Sequence, residues 1–184
     1  MSMPEKNAVL LGVTGGIAAY KAADLCSKLT SMNYDVHVMM TDSARHLISD
    51  KLFFTLSRNP VIFDLWQTPT WRPGHIEISE VASLMVIAPC TANFLGKYAN
   101  GIADDALTTT AMAYDGQVLL VPAMNTRMWN NPAVRRNCET LKNQGVQFVG
   151  PAAGRLACGD NGEGRMVEVP EIIEKVVQLL PLEK

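Results

Sequence analysis

The 184 residues suffice for one domain of ordinary size, and a chain that is 48% hydrophobic and 18% charged can build a sizeable core. A formal net charge of −2 gives no basic surface for nucleic acid or an acidic membrane, so a bound anion must be held by local groups. The longest uncharged apolar runs, such as Val81 to Cys90, reach about half of the roughly 20 residues a membrane span needs, and the start of the chain lacks a signal-peptide run.

A cytoplasmic location is therefore expected, with no membrane or nucleic-acid partner. Cys26, Cys90, Cys138 and Cys158 show no close pairing of the kind zinc sites use, and no disulfide or metal is expected.

In chain order, apolar runs predict strands at Ala8 to Val13, Val36 to Met40, Val61 to Phe63, Leu84 to Ala88, Gln117 to Val121 and Val146 to Val149. They lack period-two alternation, the mark of strands covered on both faces. Between them, Ile17 to Leu29 places Ile17, Ala18, Ala22, Leu25 and Leu29 on one helical arc. Further helices are predicted at Asn93 to Met112, Pro132 to Asn143 and Pro170 to Leu180. The stretches Gln67 to Gly74 and Gly154 to Gly164 read as loops. The alternation predicts a single α/β domain over residues 1–184, a doubly wound parallel sheet of Rossmann or flavodoxin-like type with helices on both faces. In such sheets ligands bind beyond the carboxyl ends of the strands.

The first run ends in GVTGGIAAYK, where Gly15 and Gly16 let the main chain approach a ligand and a helix start can hold a phosphate. The spacing is neither GxGxxG nor GxxxxGK, so a mononucleotide fits better than NAD or ATP; the bland alternative is a turn that permits tight packing. The second and third runs end in MMTDSARH and IAPCTANFLGKYANG, placing Thr, Ser or Asn at helix openings where an N-cap is the ordinary role. Their convergence on one rim with the glycine turn favours a ligand.

VLLVPAMNTRMWNNP poses a sharper choice. Asn125, set among Met124, Met128 and Trp129, is either part of a turn or the polar group of a pocket for a flat apolar ligand. His75, at the entry to a short helix, would stay neutral beside the helix N-terminus and could accept a proton, although surface or packing roles are commoner; His37 and His46 read as structural. Cys158, on the glycine-rich segment near Arg155 and Arg165, could be a reactive thiol on a closing loop, whereas Cys26 and Cys138 read as buried and inert.

GVTGGIAAYKAADL, APCTANFLGKYANGIADDALTT, PAMNTRMW and ACGDNGEGRM, in this order, resemble the flavin-containing cysteine decarboxylases, most closely the phosphopantothenoylcysteine decarboxylases of coenzyme A synthesis, over about residues 6–180. The resemblance implies bound FMN, contacted by Gly15, Gly16 and Ile17, by Thr41 and Ser43, and by Thr91, Ala92, Asn93 and Phe94, with Ala123 near the ring. It implies His75 as the active-site histidine, Asn125 as the amide that holds the substrate carboxylate, and Cys158 as the thiol of a substrate clamp at about 151–166.

It also implies a homo-oligomer, a trimer or a dodecamer of trimers, with the active site between subunits. The implied reaction oxidises the substrate cysteine side chain so that carbon dioxide can leave, then reduces the product, with Cys158 supplying a proton. Two alternatives share the core: a lantibiotic-type decarboxylase acting on a peptide C-terminal cysteine, and a non-catalytic flavoprotein that regulates a partner.

Overall fold

The computed structural model describes residues 7–66, 74–155, 159 and 161–182, the side chains of 74–77 excepted. The chain runs β1 (Ala8–Val13), α1 (Ala19–Ser31), β2 (Asp35–Met40), α2 (Asp42–Arg45), α3 (Asp50–Ser57), α4 (Gly74–Val81), β3 (Leu84–Cys90), α5 (Ala92–Ala99), α6 (Ala106–Ala113), β4 (Gln117–Pro122), α7 (Thr126–Trp129), α8 (Pro132–Asn143), β5 (Gln147–Phe148), β6 (Ala152–Arg155), β7 (Asn161–Arg165) and α9 (Val169–Leu179).

Five strands form one parallel sheet in the order β2-β1-β3-β4-β5. Its continuous apolar runs follow from burial on both faces. Val9, Leu11 and Val13 join one core with Leu25 of α1, Phe53 of α3 and Ile172 of α9, while Leu10, Met85 and Leu120 join a second with Leu95 of α5, Leu107 of α6 and Leu141 of α8. Each such side chain, fully withdrawn from water, contributes about 1.5–3 kcal/mol. The expected doubly wound sheet with helices on both faces is what forms.

Four expectations are corrected. Val61 to Phe63 makes no strand of the sheet; Ile62 bridges Met39, with the Ile62 N–H donating to Val38 O and the Met40 N–H donating to Ile62 O. The helix expected over Asn93 to Met112 is two helices, because Asp105 starts a new one: its carboxylate accepts from the Thr108 N–H at 2.8 Å, and Thr108 Oγ1 accepts from the Asp105 N–H at 3.1 Å. Ile17 does not share the buried arc of α1; it precedes the helix and is 68% exposed, while Ala22, Leu25 and Leu29 are buried. Finally, Gly154 to Gly164 is no simple loop, since β6 and β7 pair antiparallel as a hairpin. Its strands are too short and too poor in apolar residues to announce themselves by periodicity.

Candidate functional site

The strand order reverses between β1 and β3, and the turns after these strands must diverge to helices on opposite faces, which opens a crevice at their carboxyl ends. A cavity of about 700 Å³ lies there. It brings together Gly15, Gly16 and Ile17 after β1, Thr41 and Ser43 after β2, Thr91, Ala92, Asn93 and Phe94 after β3, and Ala123 and Asn125 after β4. Every described residue singled out from the sequence as a site candidate therefore lines one cavity. Two others lie apart from this statement. His75 falls in the first turn of α4, as expected, but its side chain lies outside the described residues, and so does Cys158.

Hydrogen bonds between the strand ends set the turns. Thr14 Oγ1 donates to Pro89 O at 2.6 Å and accepts from the Thr91 N–H at 3.1 Å, tying the end of β1 to the end of β3. The Thr41 N–H donates to Val13 O at 3.0 Å and brings in β2. Gly15 sits so close to Ser43 that a Cβ would overlap the Ser43 side chain and lie 2.9 Å from its carbonyl carbon, so main chain alone fits here.

The ordinary capping role holds at several openings: Thr41 accepts from Ala44, Thr91 from Phe94, Asp105 from Thr108, and Asn125 Oδ1 from Arg127 at 2.8 Å. The 13-residue α1 differs. Its N-cap Ala18 offers no side-chain acceptor and its first turn holds no acidic residue, so the positive end of this helix faces the cavity without an internal anion.

The opposite wall is apolar and soft, made of Phe94, Ala123, Met124 and Met128, with Trp129 buried behind. Asn125 makes the cap of α7 that the turn reading expects, and it also borders the cavity.

Lys97, Asp105, Thr108 and Met166 also line the cavity and escaped the sequence reading; Arg165, expected only as a neighbour of Cys158, lines it too. The D-x-x-T signature at Asp105 could have revealed the opening of α6; nothing local marks Lys97, which the break between α5 and α6 brings to Asp104 at 2.7 Å and Asp105 at 3.7 Å. Its hydrogen bond to Asp104 raises the Lys97 pKa, so the ammonium is a fixed and largely balanced charge.

Burial pushes the Cys26 thiol up to about 11 and raises that of Cys138, which suits the inertness expected of both, and it raises that of Cys90 as well. Among the described residues no cluster of His, Cys, Asp or Glu could hold a metal ion, and no helix is long and apolar enough to cross a membrane.

A cavity of this size, with main chain pressed against Ser43, an uncapped helix start at one end and thioethers at the other, suits a mononucleotide with an apolar ring. Comparison with known proteins agrees. The chain is 47% identical over 172 residues to the coenzyme A biosynthesis bifunctional protein CoaBC of Bacillus subtilis, covering 92% of this chain and 42% of that protein. It thus spans under half the length of the first curated relatives it matches.

A probable phosphopantothenoylcysteine decarboxylase of Streptococcus mutans is 39% identical over 175 residues, with 94% of this chain and 98% of that protein covered. Among solved structures, a cysteine-to-serine mutant of PPC decarboxylase complexed with pantothenoylaminoethenethiol superposes with a TM-score of 0.85 at 36% identity, covering 95% of this chain and 98% of the other. The FMN binding protein AtHal3 superposes with a TM-score of 0.84 at 34% identity, covering 98% and 100%. A family model described as Flavoprotein matches residues 1–181, and the chain belongs to that flavoprotein family.

Proposed function

We propose that the protein is an FMN-dependent decarboxylase that converts 4′-phosphopantothenoylcysteine to 4′-phosphopantetheine in coenzyme A biosynthesis. The observation that carries this reading is the meeting, in one cavity of mononucleotide size, of the uncapped α1 start and the Asn125 amide. The relatives named above support it.

The residues that would hold FMN are Gly15, Gly16 and Ile17 with the first turn of α1 at the phosphate, Thr41, Ser43 and Thr91 to Phe94 along the rim, and Ala123 near the ring. When bound, FMN supplies the two-electron oxidation without which a carboxylate on a saturated carbon has no place to leave its electrons.

The remaining work falls to the protein. Asn125 Oδ1 accepts from the Arg127 N–H, which fixes the amide, and Nδ2 is a donor as a carboxylate requires. A neutral donor holds that carboxylate without pinning its charge as an arginine would, so its departure is less opposed. His75 is proposed as the acid/base group of the oxidative step and Cys158 as the proton donor of the reductive one. A homotrimer with the site between subunits, and a cytoplasmic location, belong to the same proposal.

Purification tests it directly. The protein should carry yellow flavin and release carbon dioxide from phosphopantothenoylcysteine in preference to a peptide ending in cysteine. A colourless protein that stays inactive with added FMN defeats the reading, and preference for the peptide replaces it by the lantibiotic-type reaction. Asn125→Asp should keep flavin yet abolish carbon dioxide release, whereas Cys158→Ser should release carbon dioxide and stall before the final product.

A further inference from the structure

The β6–β7 hairpin meets the body of the protein at three successive residues of β7. Gly162 lies against the half-buried Thr126 side chain, so closely that a Cβ would come within 2.9 Å of Thr126 Cγ2. Glu163 Oε2 accepts from the Trp129 indole Nε1–H at 3.0 Å and from the Arg135 guanidinium at 3.2 Å. The Gly164 carbonyl accepts from the Met124 N–H at 2.8 Å. Arg135 also lies over the Trp129 ring, 4.3 Å from its centroid, and donates to Asn130 Oδ1 at 3.0 Å.

The hairpin cannot set its own position. Two strands alone are marginally stable, and these, AAGR and NGEGR, are mostly half-buried or exposed. Glycine-rich strands specify register weakly, and a slip of one residue carries side chains to the other face. Here a slip would place Gly162 or Gly164 opposite Trp129, and neither has a side chain to accept the indole N–H. We propose that Glu163 is a positioning residue: by taking the Trp129 N–H and the Arg135 guanidinium it latches the hairpin onto α7 and α8 and fixes its register beside Asn125.

The two contacts are unequal. The Arg135–Glu163 pair is half-exposed on both sides, at 43% and 53%, and contributes little. The indole belongs to a buried ring and would lose its acceptor if the hairpin lifted, so the bond from Trp129 governs. The catalytic consequence rests on the decarboxylase reading. In the sequence Cys158 lies between β6 and β7, so loss of the latch should affect the reductive half of the reaction, in which Cys158 is the proposed donor, more than carbon dioxide release.

Amide hydrogen exchange of the holoprotein tests the latch. Trp129→Phe keeps the ring and removes the N–H; Glu163→Ala removes the acceptor. Each should speed exchange in 152–155 and 161–165 by roughly ten- to hundredfold, leaving β1 and β3 unchanged, and the double variant should be no worse than Glu163→Ala. Glu163→Gln retains a neutral acceptor and should stay within about threefold of the native protein.

With substrate, Glu163→Ala should lower formation of the reduced thiol relative to carbon dioxide release, and Glu163→Gln should restore the ratio. Unchanged hairpin exchange in both Trp129→Phe and Glu163→Ala, or equal acceleration throughout the sheet, overturns the proposal. If the native protein fails to decarboxylate, the reading above falls, and the exchange pattern still decides the latch.

Discussion

The two walls of the cavity are built differently. On the sheet side, three strand ends are tied to one another by hydrogen bonds through Thr14 and Thr41 and rest on two apolar cores, so a shift of one turn breaks bonds to its neighbours. On the hairpin side, a two-stranded ribbon is held by Glu163, by one main-chain bond at Gly164, and by the chain that leaves it, where buried Lys21 donates to Met166 O at 3.3 Å and pairs with Glu168 at 2.9 Å. The first arrangement suits a ligand that stays bound; the second suits a substrate that must enter and leave.

The largest test of this contrast substitutes a glycine on each wall. Gly15→Val forces side-chain atoms into Ser43 and its main chain and should abolish flavin retention, read as loss of flavin absorbance with far-ultraviolet dichroism unchanged. Gly164→Val strains a residue at φ +132 beside the Met124 carbonyl; it should keep flavin and lose turnover by roughly ten- to hundredfold. If both variants behave alike, the walls are not distinct.

A smaller effect is expected at Thr14→Val, which leaves the Pro89 carbonyl and the Thr91 N–H without their partner. Urea unfolding should show a loss of about 1–3 kcal/mol at constant m, with flavin affinity reduced as β1 and β3 come uncoupled. Thiol labelling in mildly alkaline buffer should spare Cys26, Cys90 and Cys138, whose thiols burial holds in the protonated form, until the protein unfolds. Labelling of these three in the folded protein would mean the sheet side opens more readily than its bonding implies.

The smallest effect concerns the exit of the hairpin. The hydrogen bond from Lys21 holds the Glu168 carboxyl below the usual carboxylate range. A folded pKa depressed in this way contributes stability above the unfolded value, and that contribution is lost as pH falls through the folded value. Lys21→Met should therefore flatten the acid limb of the stability profile, measured as melting temperature against pH. An unchanged acid limb removes Lys21 from the restraint of the hairpin.

Much of the site was legible in the sequence because its residues lie at strand ends, where glycine, threonine and asparagine interrupt apolar runs. Gly15, Thr41, Thr91 and Asn125 could each be seen as an interruption, and the parallel fold implied that they share a rim. Lys97 and Arg165 could not be found this way. Lys97 reaches the cavity because the capping box at Asp105 divides what periodicity reads as one helix, and Arg165 because a glycine-rich segment pairs with itself. Ile17 was placed on the cavity correctly but assigned to the wrong helical face, since periodicity cannot tell the last turn residue before a helix from the first residue within it.

By itself the sequence determined the class of fold, the sheet strands other than the Ile62 bridge, and the edge at which the cavity opens, because burial on two faces leaves a mark on every residue of a strand. Tertiary structure decided the far wall. Asn161 to Arg165 has almost no apolar pattern to read, so its place beside Asn125 depends on which indole and which carboxylate the folded chain brings within 3.0 Å of each other.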